Sequence, residues 1–143
     1  MKILIINGPN LNLLGKRNQH IYGSGTLDDL NDMIAEAYPD MQFSFYQSNK
    51  EGEIIDRIQA AMEDGTQAII YNMGGYTHTS VAIRDALEPV DIPKVEVHIS
   101  NIHAREDYRK KSVTGEVADG IITGFGWNSY LLGVEAVKRA SKT

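Results

Sequence analysis

The sequence predicts an open parallel α/β fold, and three observations carry that prediction. Strand-like and helix-like segments alternate along the chain, which specifies a parallel sheet covered on both faces. Five runs have strand character, at residues 2–7, 41–48, 68–72, 94–99 and 120–123. The chain has 143 residues, with no internal repeat, low-complexity tract or linker, so residues 1–143 are expected to form a single domain. Five strands in this length favour a three-layer sandwich with the flavodoxin-like strand order 2-1-3-4-5.

Each element has a local reason. Residues 2–7, KILIIN, form an apolar run that ends at Gly8-Pro9. A helix is expected over 26–38, where Leu27, Leu30, Ile34 and Ala37 share a stripe, Thr26 is a cap candidate and Pro39 follows. Residues 41–48 alternate as a strand, and 53–64 carry Ile54, Ile58, Ala61 and Met62 at helical spacing before Gly65. The run 68–72 is an apolar strand. A short helix is expected over 79–87, with Thr79 or Ser80 as cap and Pro89 beyond. Strand 94–99 is β-branched, 120–123 is a small fifth strand, and 129–140 is a terminal helix bearing Leu131, Val134 and Val137.

Composition removes several function classes. A net charge of -5 argues against nucleic acid or an anionic membrane as the main partner, since both select clustered Lys and Arg. The chain has no cysteine, which removes disulfides, thiolate nucleophiles and cysteine-ligated metals, and fits a reducing compartment. The first apolar run is short for a signal peptide, and no stretch approaches membrane-spanning length. A cytoplasmic protein is expected. The four histidines, His20, His78, His98 and His103, show no recognised metal-ligand spacing, so no metal is expected.

In open α/β sheets function lies beyond the carboxyl ends of the strands. Asn7, Asn49, Asn72 and Asn101 fall at or near four of these ends, and Gly8, Gly74-Gly75 and Gly124 at or after three. An edge of neutral donors and acceptors with close backbone access suits a small, hydroxyl-rich ligand. Strand 94–99 adds titratable chemistry. Alternation puts Glu96, His98 and Ser100 on one face and Val95, Val97 and Ile99 on the other. A carboxylate two residues from an imidazole on one face can hold the ring's tautomer and support its charged form. Residues 8–25 form a segment far longer than the usual two to about six residues of such connections. It reads as a mobile lid carrying Arg17 and Tyr22. Its glycine spacing does not fit a phosphate-binding loop, and no aspartates follow strands one and three as a phospho-receiver requires. Gly74, Gly75 and His78 precede a helix start whose free amides would welcome an anionic or hydroxylated ligand. The run 103–111 reads as a solvated helical face from which Arg109 can reach back. The lysines are read as lying in loops, termini or charged runs, leaving no candidate for a Schiff base. A sugar-acid binding module without activity could keep the asparagines, but has no use for Tyr22, Arg17, Glu96 and His98 together.

The segments GPNLNLLGKR, IYGSGTL, QSNKEGEIID, NMGGYTHTSVAIRDAL, VEVHISNIHAREDYRKKS and ITGFGWNSYLLGVEA together resemble type II 3-dehydroquinate dehydratase from end to end. The resemblance implies a flavodoxin-like hydro-lyase of the shikimate pathway or of quinate breakdown. Such an enzyme reversibly dehydrates 3-dehydroquinate to 3-dehydroshikimate without a metal or organic cofactor. By position, Tyr22 resembles the catalytic base, Arg17 the cation that activates it, His98 the acid and Glu96 its orienting partner. Asn10 matches a residue that helps hold the enolate oxygen through a water. Asn72, His78 and Arg109 match substrate-hydroxyl contacts, and the backbone of Ile99 and Ser100 matches a carboxylate cradle. Asp85 matches a contact from a neighbouring subunit, in a homo-oligomer of trimers grouped into a dodecamer. The resemblance departs at Arg17-Asn18-Gln19, where the family usually has Arg-Glu-Pro. That difference bears on the lid's stiffness and on the surroundings of Arg17.

Overall fold

The computed structural model describes residues 1–140. Five parallel strands form one sheet: β1 (Lys2–Asn7), β2 (Gln42–Gln47), β3 (Ala68–Asn72), β4 (Lys94–His98) and β5 (Gly120–Thr123), in the order β2-β1-β3-β4-β5. The expected topology holds. The helices are α1 (Gln19–Tyr22), α2 (Leu27–Ala37), α3 (Glu51–Ala61), α4 (Val81–Leu87) and α5 (Asn128–Ala140), with short 3-10 turns between elements.

Strand alternation builds two core layers. Ile3, Ile5, Ala68, Ile70, Val95 and Val97 pack with Leu30 and Ile34 of α2 and with Tyr130, Val134 and Val137 of α5. Leu4, Ile6, Ile69 and Tyr71 face the other way, toward Ile54 and Ile58 of α3 and Ile83 and Leu87 of α4. Each fully buried aliphatic side chain contributes roughly 1.5–3 kcal/mol, so the sheet faces dominate stability. β4 breaks this pattern. Its second face carries Lys94, Glu96 and His98, all buried.

Helix boundaries follow the caps. Thr26 accepts from the Asp29 amide at 3.1 Å while the Asp29 carboxylate accepts from the Thr26 amide at 3.0 Å, a reciprocal capping box. The Thr26 amide, and after it the Thr26 hydroxyl, hold the Asp29 carboxyl below its ordinary range. α3 begins and ends earlier than its apolar spacing suggests. Ser48 anchors the entry by bonding the Lys50 amide and the Glu53 carboxylate. At the far end the Met62 amide reaches back only three residues, to the Gln59 carbonyl, so the last turn tightens well before Gly65. Ser80 rather than Thr79 caps α4, accepting from the Ile83 amide at 3.0 Å.

Candidate active site

The carboxyl ends of β1, β3 and β4 open into one cavity, lined by the segment after β1, the turn after β3 and the segment after β4. Its floor depends on close backbone approach. Gly8 lies so near the Met73 backbone that an added Cβ would sit 2.4 Å from the Met73 carbonyl oxygen. Gly74, at φ 58°, crowds the Pro9 carbonyl in the same way. Gly74 and Gly75 both line the cavity.

The Glu96–His98 pair has the geometry that strand alternation implies. His98 Nε2 lies 2.9 Å from Glu96 Oε2, and Glu96 is 0% exposed. Two more donors converge on that carboxylate: the Ser112 hydroxyl on Oε2 at 2.7 Å and the Thr114 hydroxyl on Oε1. A buried carboxylate needs this degree of satisfaction. With Nε2–H donating to Glu96, His98 has Nδ1 left for proton exchange with a ligand in the cavity it lines.

Tyr22 ends the short helix α1, which brings its ring into the same cavity. Arg17 Nη2 lies 3.4 Å from its hydroxyl, with the guanidinium carbon 4.9 Å from the ring centroid. A second guanidinium, which local reading of the sequence missed, lies closer. Arg105 Nη1 donates to the Tyr22 hydroxyl at 2.9 Å and reaches the Ser100 hydroxyl at 3.4 Å. Within the run 103–111 only its basic character pointed that way. The run is not a helical face: it is two 3-10 turns, Ile102–Ala104 and Asp107–Arg109, and both Arg105 and Arg109 line the cavity from it. Arg109 Nε is held by Glu106 at 2.7 Å.

His78 donates from Nδ1 to the Lys111 carbonyl at 2.8 Å. Burial, the largest influence, pushes its pKa down, and the Lys111 carbonyl opposes this only in part. His78 is therefore neutral and has Nε2 available as an acceptor, as a hydroxylated ligand requires. Ile99, Ser100, Asn10 and Asn72 line the same space.

Two expectations need correction. The asparagine edge is thinner than the strand ends suggest. Asn10 and Asn72 line the cavity, whereas Asn7 is tied up in the core by Tyr130. Asn49 accepts from the Asn10 amide at 3.0 Å, and Asn101 caps its own turn by accepting from the His103 amide. Short amides satisfy nearby backbone groups as readily as ligands. Secondly, the lysines are not confined to loops and charged runs. Lys94 opens β4, is 6% exposed and donates from Nζ to the Leu87 carbonyl at the end of α4 at 2.8 Å. Burial holds its amine below the ordinary lysine range. It is no Schiff-base candidate for this cavity, because four strand residues, about 13 Å, separate it from His98. Asp85, expected as a contact for a neighbouring subunit's site, does not line the cavity of its own chain: it sits on α4 with a 64% exposed side chain, paired with Arg84 at 3.1 Å.

The Arg17-Asn18-Gln19 departure has a local structure of its own. Asn18 caps α1 in the left-handed region at φ 37°, which asparagine tolerates better than most residues. The Gln19 side-chain amide ties back to the Gly15 carbonyl at 2.8 Å.

The comparisons with known proteins agree. A family described as "Dehydroquinase class II" matches residues 1–138. A 3-dehydroquinate dehydratase of Thermotoga neapolitana is 53% identical over 143 residues, covering 99% of this chain and 97% of that protein. One of Fusobacterium nucleatum is 55% identical over 139 residues, covering 94% of each. The crystal structure of a type II dehydroquinase from Butyrivibrio crossotus superposes with a TM-score of 0.94 at 49% identity, covering 96% of this chain and 97% of that one.

Proposed function

The chain belongs to the class II dehydroquinases, and on that premise we propose that Tyr22, His98 and the residues around them carry out its reaction by general acid–base elimination. It is a hydro-lyase that interconverts 3-dehydroquinate and 3-dehydroshikimate. The observation that carries the residue assignment is one cavity holding two separate devices. One is a phenol flanked by guanidinium groups at 2.9 and 3.4 Å. The other is an imidazole backed by a buried carboxylate at 2.9 Å.

In this reading Tyr22, as phenolate, takes the proton from the carbon beside the substrate ketone. A phenol serves as a base only where neighbouring positive charge supports its anionic form. Arg105 and Arg17 supply it. The electron pair released from the broken C–H bond forms the enolate, whose oxygen is held through a water by Asn10. As the enolate collapses, the C–O bond to the departing hydroxyl breaks, and His98 delivers its proton so that water leaves. The new carbon–carbon double bond is conjugated with the ketone. Neutral His78, Asn72 and Arg109 take substrate hydroxyls, and the backbone of Ile99 and Ser100, with Gly74 and Gly75, accommodates the rest. Residues 8–25 act as the lid of a single catalytic domain spanning 1–143, since Arg17 and Tyr22 both ride on that segment.

The product enone absorbs in the ultraviolet, so mixing purified protein with 3-dehydroquinate tests the reading directly. Absorbance should rise at catalytic protein concentrations, and a flat trace overturns it. Arg105→Gln should lower kcat by roughly 10- to 100-fold, the worth of one charge-assisted hydrogen bond of about 1.5–3 kcal/mol. A loss smaller than about threefold would remove Arg105 from the activation of Tyr22.

The proposal extends to assembly and location. Asp85 is exposed on α4 and does not line its own cavity, which supports its serving the site of an adjacent subunit within trimers grouped as a dodecamer. Light scattering should report a closed dodecamer. Mixing Asp85→Ala with Tyr22→Phe subunits should restore activity, because exchange creates sites in which both residues are intact. Full exchange with no recovery assigns Asp85 to its own chain or to no role. The absence of cysteine fits a reducing, cytoplasmic setting. Among the described residues, no helix is long and apolar enough to cross a membrane.

A further inference from the structure

A buried chain of polar groups runs behind the cavity. The Asn72 Nδ2 amide donates to the Tyr130 hydroxyl at 3.1 Å, and that hydroxyl donates onward to Asn7 Oδ1. On its other side Asn72 Oδ1 accepts from the Gly74 amide at 3.1 Å. The Gly74 amide is a donor only, so the orientation of the Asn72 carboxamide is determined: its oxygen must face Gly74 and its nitrogen Tyr130. The Tyr130 hydroxyl, accepting from Asn72, must then point its own hydrogen at Asn7. Asn7 and Asn72 are register partners at the ends of β1 and β3. Tyr130 reaches them from α5, where its ring is packed in the core and is 0% exposed. Tyrosine is rarely buried at such a position unless its hydroxyl is used. Tyr130 does not line the cavity, but Asn72 does.

We propose that Tyr130 is a positioning residue for the reaction: its hydroxyl clamps the Asn72 carboxamide so that the remaining amide hydrogen and oxygen lone pair meet the substrate in one orientation. This rests on the reading of Asn72 as a substrate contact. Without the hydroxyl, the Asn72 nitrogen is released and the carboxamide is held only through its oxygen by the Gly74 amide, a single point about which it can tilt away from the productive orientation. The effect belongs to substrate recognition rather than to proton transfer by Tyr22 or His98.

The test is a double-mutant cycle on kcat/KM with 3-dehydroquinate, using Tyr130→Phe, which removes one oxygen and keeps the ring. Tyr130→Phe should lower kcat/KM by about tenfold, mainly through KM, at a temperature where circular dichroism shows the fold intact. Asn72→Ala should lower it by at least as much, and the double variant should be no worse than Asn72→Ala alone. Multiplying losses in the double variant overturn the proposal, since Tyr130 then acts by another route. Wild-type kinetics in Tyr130→Phe beside a defective Asn72→Ala overturn it while leaving the Asn72 contact standing. Wild-type kinetics in Asn72→Ala overturn both. Should Tyr130→Phe fail to fold, Asn7→Ala keeps the tyrosine and removes the acceptor that orients its hydroxyl. The same cycle with Asn72→Ala then decides, with the same outcomes.

Discussion

Tyr22→Phe should lose turnover while still binding a product-like ligand. The substitution removes the one oxygen that lies between Arg105 and Arg17 and leaves the ring, over which both guanidinium groups are stacked at 5.6 and 4.9 Å. The cavity therefore keeps its shape and both guanidinium groups. Losing a general base costs roughly 10²–10⁴-fold or more, so initial rates followed by enone absorbance should fall below about one hundredth of wild type. Calorimetry with 3-dehydroshikimate should still report binding within a few-fold of wild type. A variant that keeps more than that hundredth of the rate assigns the proton to another group, and the flanking arginines would then be substrate contacts only.

His98→Asn should abolish dehydration in a protein that remains folded, because asparagine fills much of the same space and carries no exchangeable proton near neutral pH. Glu96→Gln should retain more activity but lose stability. Three donors converge on Glu96, from His98, Ser112 and Thr114. A glutamine offers one acceptor oxygen and a nitrogen that donates, so at least one of the three donors loses its acceptor on residue 96. Leaving such a group unsatisfied costs about 1–3 kcal/mol, readable by chemical denaturation. The pH–rate profile should change as well. Removing the carboxylate withdraws the acceptor that holds the His98 ring at Nε2. An unchanged profile would separate Glu96 from the function of His98.

What the chain determines by itself is everything that depends on near neighbours. Two residues along a strand share a face whatever the rest of the fold does, so the Glu96–His98 pair was legible as soon as 94–99 was read as a strand. The order of elements, the Thr26 cap and the strand topology follow from the same kind of local rule, joined to the handedness of parallel connections. Tyr22 and Arg17 stood in a connection too long to be only a connection. The resemblance supplied roles that spacing alone left open, for Asn10, His78 and Arg109 among them.

Only the tertiary structure decided which of several similar residues reach the cavity. Arg105 contacts Tyr22 across 83 positions, and nothing in the run 103–111 distinguished it from its basic neighbours. Tyr130 meets Asn7 across 123 positions, so nothing local to α5 marked its hydroxyl as serving a sheet edge. Asn7, Asn49 and Asn101 stood on the same footing as Asn72 in the sequence, yet each is consumed by a structural bond. Lys94 sits on the same strand face as Glu96 and His98 but at the opposite end. Periodicity records which face a side chain takes. It carries no record of which distant partner arrives there first, and hydrogen-bonding groups are satisfied by whichever partner the packed chain brings within about 3 Å.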